Sequence, residues 1–285
     1  MRLPMRAAVL AALMILVGAT SASAAPPVGS QDWRSAEGAV PYGDGYALPL
    51  KAATPAWYTD AVAAQVEAAN GAPVAAPNDA PLPSEIGIRP GAWMIAPSGC
   101  TMNFIFGSPG SYSIGTAGHC GKNGEDVVLL TLAPGGANPV LVDVGTVQQS
   151  VDGGIGNDFA LVSIRPELQS WVSPTIAIVA GPCGSYTGSG PEAVFHYGHG
   201  LAIGTGGTPR AGLALRWDST AFGWTGAAIF GDSGSPVRVN TGMQAAGDLT
   251  HLVVDSRWLP SYIAGTRMGR ILQIAGQPLA NSPLC

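Results

Sequence analysis

Ser233 sits between Asp232 and Gly234 in the run "IFGDSGSPV", Ile229 to Val237. A serine hydroxyl is a weak nucleophile until a neighbouring base takes its proton. The flanking glycines bear on that chemistry, because at 231 and 234 the backbone can approach a substrate closely and adopt dihedrals closed to other residues. The amides of Gly231 and Ser233 can then converge on one oxygen and stabilise the charge that develops there. Gly-Asp-Ser-Gly is equally the composition of a tight turn, so the run by itself leaves both readings open.

A base must come from elsewhere, and the chain has four histidines: His119, His196, His199 and His251. His119 stands in "TAGHC", directly before Cys120. If Cys120 is disulfide-bonded, the imidazole sits on a stapled backbone and its orientation is fixed. A loop histidine beside a structural cystine is the plain alternative. The base in turn needs a buried acid to hold its tautomer and stabilise the imidazolium. Asp158 in "GNDFALV" opens an apolar strand, where an unpartnered carboxylate is costly to bury. An aspartate capping a turn before the strand fits the same residues. His196 and His199 in "HYGH" lie at i, i+3, which do not share a face in a strand. They and His251 therefore read as structural or cleft-lining, and no metal site is expected.

The chain that must position these groups is 285 residues long, with 11% charged residues, 40 glycines and 24 prolines. That composition suits a turn-rich β protein. Residues 1–24 read as an export signal: Arg2 and Arg6, an apolar run Ala7 to Val17, and Ala22-Ser23-Ala24 as a small-residue cleavage site. The run is short for a bilayer span, so release is expected without a membrane anchor. Removing the signal takes two arginines and moves the formal charge from −5 to −7, which excludes electrostatic grip on nucleic acid or anionic lipid. Cys100, Cys120, Cys183 and Cys285 can form two disulfides in three connectivities; the short path from 100 to 120 fits a staple across a hairpin, leaving 183 to 285.

Residues 25–88 form an Ala/Pro-rich N-terminal extension or pro-segment. Within them, "TPAWYTDAVAAQVEAANG" has a helix start at Thr54-Pro55 and a stop at Asn70-Gly71, and 72–84 reads as a Pro-rich linker. From Arg89 onward short apolar segments alternate with turns, among them "AWMIA", "NFIFG", "SYSIGTAG", "DVVLLTL", "DFALVSI", "PTIAIVA", "AVFHYG", "AAIF" and "SPVRV". That pattern predicts an all-β body of antiparallel barrels or a sandwich. "GTRMGRILQIAG" predicts a C-terminal helix with Met268, Ile271, Leu272 and Ala275 on one face, Thr266 as cap and Gly276 as stop.

Taken together, "TAGHC", "NDFALV" and "GDSGSP", in that order in an exported, cystine-bearing β chain, resemble the three motifs of the chymotrypsin/trypsin family of serine proteases, secreted bacterial type. The resemblance spans about 89–285. It implies two antiparallel six-stranded β-barrels, about 89–175 and about 176–285, meeting at a cleft. It implies a secreted serine endopeptidase in which Ser233 attacks, His119 transfers the proton and Asp158 holds His119, with the amides of Gly231 and Ser233 as oxyanion hole. No cofactor is implied; the partner is a protein or peptide substrate, and the chain is expected to be a monomer.

Departures from the family pattern shape further expectations. Gly118 stands where alanine is frequent and Ser235 replaces a glycine, both read as small changes. No "IVGG"-like segment precedes the domain, so an internal cation is expected to satisfy Asp232, with Arg216 and Arg238 as candidates. The pocket that selects the substrate side chain is assigned to Ala227, Ala228, Asp248 and Thr250, apolar at its base, with Asp248 either facing the catalytic groups or favouring basic residues. The alternatives are a catalytically silent homologue that binds peptides or surfaces, and a self-inhibited zymogen whose mature chain would start near residue 85.

Overall fold

Six strands make a closed ring only if the first meets the last, and in this chain two bent segments achieve that by serving two neighbours each. A computed structural model describes residues 38–43, 45–200, 207–255 and 258–285; the export signal lies outside them. In the first barrel Trp93–Ala96, Asp126–Leu132, Pro139–Asp152, Asp158–Ser163 and Ser113–Thr116 pair antiparallel in that order. The segment 100–106 closes the ring, with Cys100–Thr101 on Trp93–Ala96 and Ile105–Phe106 on Ser113–Thr116.

In the second barrel Glu192–Gly198, Thr208–Trp217, Ala221–Thr225 and Trp258–Thr266 follow one another. Here the closing segment is 245–255, bent at Leu249 and Thr250. Ala245–Asp248 pairs with Pro236–Val239, which returns to Glu192–Gly198, and His251–Asp255 pairs with Trp258–Thr266. Each barrel encloses an apolar interior: Met94, Ile105, Leu129, Val142 and Val162 in the first, and Val194, Phe222, Trp224, Val237 and Ile263 in the second. The all-β architecture of two antiparallel barrels is thus the one the resemblance implies. Both disulfides form, Cys100–Cys120 and Cys183–Cys285.

The C-terminal helix runs Met268–Ala275 and ends at Gly276 in the left-handed conformation. Its buried face is Met268, Ile271, Ile274 and Ala275, seated on Phe104, Phe106 and Phe159 of the first barrel. Thr266 is not its cap. Arg267 occupies that position, because the Thr266 hydroxyl is engaged at Asp158. Two predicted strands are also not strands. "PTIAIVA" is the crossing between the barrels, with Ile178 and Ala180 at positive φ, and "AAIF" leads as a loop into the Ser233 turn.

The extension differs most from expectation. Its helix spans Asp60–Ala69, later than Thr54-Pro55 suggested, because the Thr59 hydroxyl accepts from the Val62 amide and sets the start there. The expected stop holds, with Asn70 left-handed. Residues 72–84 are no free linker: Val74–Ala75 pairs with the first barrel at Val140 and Leu141. Upstream, Gly45–Pro49 forms a strand that sequence reasoning missed. It adds to the second barrel along His251–Asp255.

Candidate active site

His119 follows the strand Ser113–Thr116 on a single 3-10 turn, Gly118–Cys120, whose last residue is bonded to Cys100. Asp158 opens the strand Asp158–Ser163 and is fully buried. It grips His119 twice. Its Oδ1 accepts from the His119 backbone amide at 3.0 Å, and its Oδ2 lies 2.6 Å from His119 Nδ1. That contact puts the ring proton on Nδ1 and leaves Nε2 free to accept. Behind it, the Thr266 hydroxyl accepts from the Asp158 amide and donates to the Asp158 carbonyl. Burial alone would raise the carboxyl of Asp158; His119, through charge and hydrogen bonds, outweighs it and holds it below the ordinary carboxylate value.

Ser233 arrives from the second barrel, on the turn that precedes Pro236–Val239. Its Oγ lies 2.7 Å from His119 Nε2 and 3.1 Å from the Thr250 carbonyl, so its one proton donates to one of these at a time. The turn is shaped by Asp232. The carboxylate, fully buried, accepts from the amides of Gly200 and Ile229 at 2.8 Å and from the guanidinium of Arg210. Gly234 (φ +89°) lies so close to the first barrel that a Cβ would stand 2.0 Å from the Thr101 carbonyl oxygen.

The cation at Asp232 is therefore Arg210, and the candidates Arg216 and Arg238 are both displaced. Arg216 lies over the Tyr262 ring, and Arg238 donates to the Val179 carbonyl and covers Phe195. Gly118 also corrects an expectation. Alanine there is no small change, because its Cβ would meet the Val151 carbonyl oxygen at 2.0 Å and Asp158 Oδ1 at 3.0 Å.

Asp248 was expected either to face the site or to favour basic residues. It is fully buried, its Oδ1 accepts from the Thr266 amide, and its carboxyl is raised well above its usual value by burial and by the charge of Asp158. Ala227 is exposed, Ala228 is half-buried against the interior of the second barrel, and Thr250 presents its carbonyl to the cleft. His251 Nδ1 lies 2.9 Å from Thr250 Oγ1 and 3.6 Å from Asp158 Oδ2, and burial drops its pKa to about 4, so it stays neutral. His199 pairs with Glu85 at 2.9 Å under the stacked ring of Trp93. His196 is buried beside Arg210, its pKa lowered to about 4 by burial.

One occupant of the site was not foreseen: the chain's own Leu50. Its carbonyl accepts from the Gly231 amide at 2.6 Å and the Ser233 amide at 3.3 Å. Its amide donates to the Thr250 carbonyl at 3.0 Å. The available signal was "GYALPL", a short strand-compatible apolar run inside an extension read for its Ala and Pro content.

Neither a protein-family model nor a curated protein matches this chain. Solved structures do. The chain is similar to Thermobifida fusca protease A, with TM-score 0.49 and 22% identity over 69% of this chain and 98% of that one. It is similar to a Nocardiopsis protease, with TM-score 0.46 and 20% identity over 68% and 98%. A glutamic-acid-specific serine protease aligns with TM-score 0.47 and 16% identity over 68% and 100%.

Proposed function

We propose that this chain is a secreted serine endopeptidase of the chymotrypsin-like kind, cleaving peptide bonds through an acyl-enzyme. The observation that carries the reading is the unbroken line Asp158 Oδ2, His119 Nδ1, His119 Nε2, Ser233 Oγ, with steps of 2.6 and 2.7 Å. Hydrogen-bond reach between nucleophile and base, with the base oriented by a third group, is what activates a serine. In the first half-reaction Ser233 Oγ bonds to the scissile carbonyl carbon while its proton passes to His119 Nε2. The imidazolium gains the Asp158 charge beside it, and the carbonyl oxygen gains the amides of Gly231 and Ser233. His119 then gives its proton to the departing amine. Water repeats the sequence and frees the carboxylate.

Asp158 serves by staying ionised. Its lowered pKa, despite complete burial, keeps the negative charge in place where the imidazolium forms. Asp248 does the reverse, its raised pKa keeping a second charge away from the first. A silent homologue that binds peptides needs none of this alignment. Secretion agrees with the two cystines and with the absence, among the described residues, of any free cysteine and of any helix long and apolar enough to cross a membrane. The test is covalent labelling with a fluorophosphonate. Ser233 takes one label per chain and the Ser233→Ala variant takes none; a folded wild-type protein that resists the probe after the strand 45–50 has been displaced contradicts the reading.

A further inference from the structure

The contacts of Leu50 are those of a substrate, and they continue on both sides of it. Upstream, Gly45–Pro49 runs antiparallel to the strand that begins at His251, pairing Pro49 with His251 and Leu48 with Leu252. An added strand of this kind gives a peptide its affinity through main-chain hydrogen bonds and its specificity through alternate side chains. Proline is tolerated at residue 49 because Val40–Tyr42 covers the strand's other side only as far as Ala47, which leaves residue 49 unpaired there. Downstream, Ala52 exchanges both hydrogen bonds with Gly99, at 2.8 and 2.9 Å, so the chain crosses the cleft and continues onto the first barrel. Between these anchors the Leu50 carbonyl points into the converging amides of Gly231 and Ser233, and Lys51 Nζ reaches the His119 carbonyl at 3.3 Å.

From this we infer that the peptide bond Leu50–Lys51 is the chain's own first substrate, cut in cis by Ser233. The inference rests on the proposed peptidase activity and extends it to one bond. Ser233 Oγ bonds to the Leu50 carbonyl carbon, and the bond from that carbon to the Lys51 nitrogen breaks. The proton leaves Ser233 for His119 and passes to the Lys51 nitrogen, which becomes a new amino terminus. A water then bonds to the acyl carbon and gives a proton to His119; the bond from that carbon to Ser233 Oγ breaks, His119 returns the proton to Oγ, and residues up to Leu50 leave with a free carboxylate. The amine side opens on a cavity of about 580 Å³ lined by Lys51, His119, Gly121 and Ser150, through which water can reach His119 once Lys51 has moved.

The two products have different fates. Residues after Lys51 stay, because Val66, Trp57 and Val74 pack with Trp93, Val128 and Leu141 of the first barrel. Glu85 and Gly87 are moreover bonded to Leu132. Among its described residues the upstream piece is held along His251–Asp255, by Leu50 and by Tyr42 beside Tyr262, with Val40–Tyr42 otherwise exposed. It is a product that leaves slowly and blocks the cleft until it does. The break thus falls at 50–51 and not near residue 85. Leu50 also reports the selectivity of the cleft. Its side chain is 1% exposed and belongs to the apolar cluster of the second barrel, an environment that accepts leucine and rejects charge.

The test is intact mass and amino-terminal sequencing of the secreted protein, in parallel with fluorophosphonate labelling. Wild-type chain is expected to begin at Lys51, and Ser233→Ala to retain the Leu50–Lys51 bond. Leu50→Asp, whose charge cannot seat in the apolar pocket, is expected to escape the cut at 50–51 and to label faster than wild type. Folded Ser233→Ala mixed with wild type is expected to remain uncut, since its own Leu50 fills its own cleft. Wild-type protein that labels but keeps the bond intact overturns the self-cleavage and spares the peptidase reading. Cutting of Ser233→Ala by added wild type overturns the cis mechanism. Absence of both labelling and cutting in every variant, Leu50→Asp included, overturns the peptidase reading itself.

Discussion

Arg210→Met isolates the group that holds the Ser233 turn in shape. Asp232 is fully buried and the Arg210 side chain is 9% exposed, so the variant leaves a carboxylate with no counter-charge in a low-dielectric site. Breaking a buried pair from one side costs about 3–5 kcal/mol. Asp232 keeps the amides of Gly200 and Ile229, which places the loss at the lower end, about 3 kcal/mol. For a chain of this length that lowers the thermal midpoint by roughly 6–12 °C. Function falls as well, because the same carboxylate bonds the Ile229 amide on the turn carrying Gly231 and Ser233. Loosening an oxyanion donor costs about 100- to 1,000-fold, so fluorophosphonate labelling slows toward that range. Thermal unfolding and labelling kinetics are measured for Arg210→Met, Asp232→Asn and the double variant. The double variant regains part of the stability, since the charge left unpaired is gone. A midpoint within about 2 °C of wild type, with strictly additive single variants, would refute this account of the Asp232 site.

Two further perturbations follow from the same geometry. Asp248 has its folded pKa raised above the ordinary 3.8, so the stability it contributes is present below that value and is lost as pH rises toward the folded value. Asp248→Asn cannot ionise, so its thermal midpoint is higher than that of wild type at pH 7 and the gap closes at pH 3. Gly118→Ala forces a Cβ to within 2.0 Å of the Val151 carbonyl oxygen, and the shift falls on the turn that carries His119. It costs about 1–3 kcal/mol of stability by overpacking, and displacement of His119 by about 1 Å lowers kcat by about 100-fold; steady-state kinetics with unfolding curves check both.

The groups of the candidate site were legible because each lies in a short run whose neighbours explain it: a cystine beside His119, a buried strand after Asp158, glycines around Ser233. The antiparallel β texture was also readable, since alternation and turns are local, but the segments 100–106 and 245–255 that close the barrels were not. Arg210 was not. Arg210 and Arg216 share a face in a regular strand, and only the irregularity between Ala214 and Arg216 turns the second toward Tyr262. No sequence period announces that bulge. Leu50 was hidden for a different reason. Its partners, Thr250, Gly231 and Ser233, lie some two hundred residues away, and a five-residue strand ending in a proline carries little signal of its own. Asp248 posed the opposite difficulty: its neighbourhood suggested a pocket wall, while alternation along Ala245–Asp248 decides which of two faces it serves.

The central claim is that Ser233, His119 and Asp158 turn over peptide bonds, and turnover of a protein substrate tests it most directly. Chain carrying Leu50→Asp, which clears the cleft, is incubated with denatured casein, and new amino termini are counted against time and against fluorophosphonate titre. The account predicts that the rate scales with titrated sites and falls by roughly 10⁴-fold or more when Ser233→Ala is added to the same chain. Equal rates with and without the Ser233 hydroxyl, or no new termini from a chain that titrates fully, would contradict it.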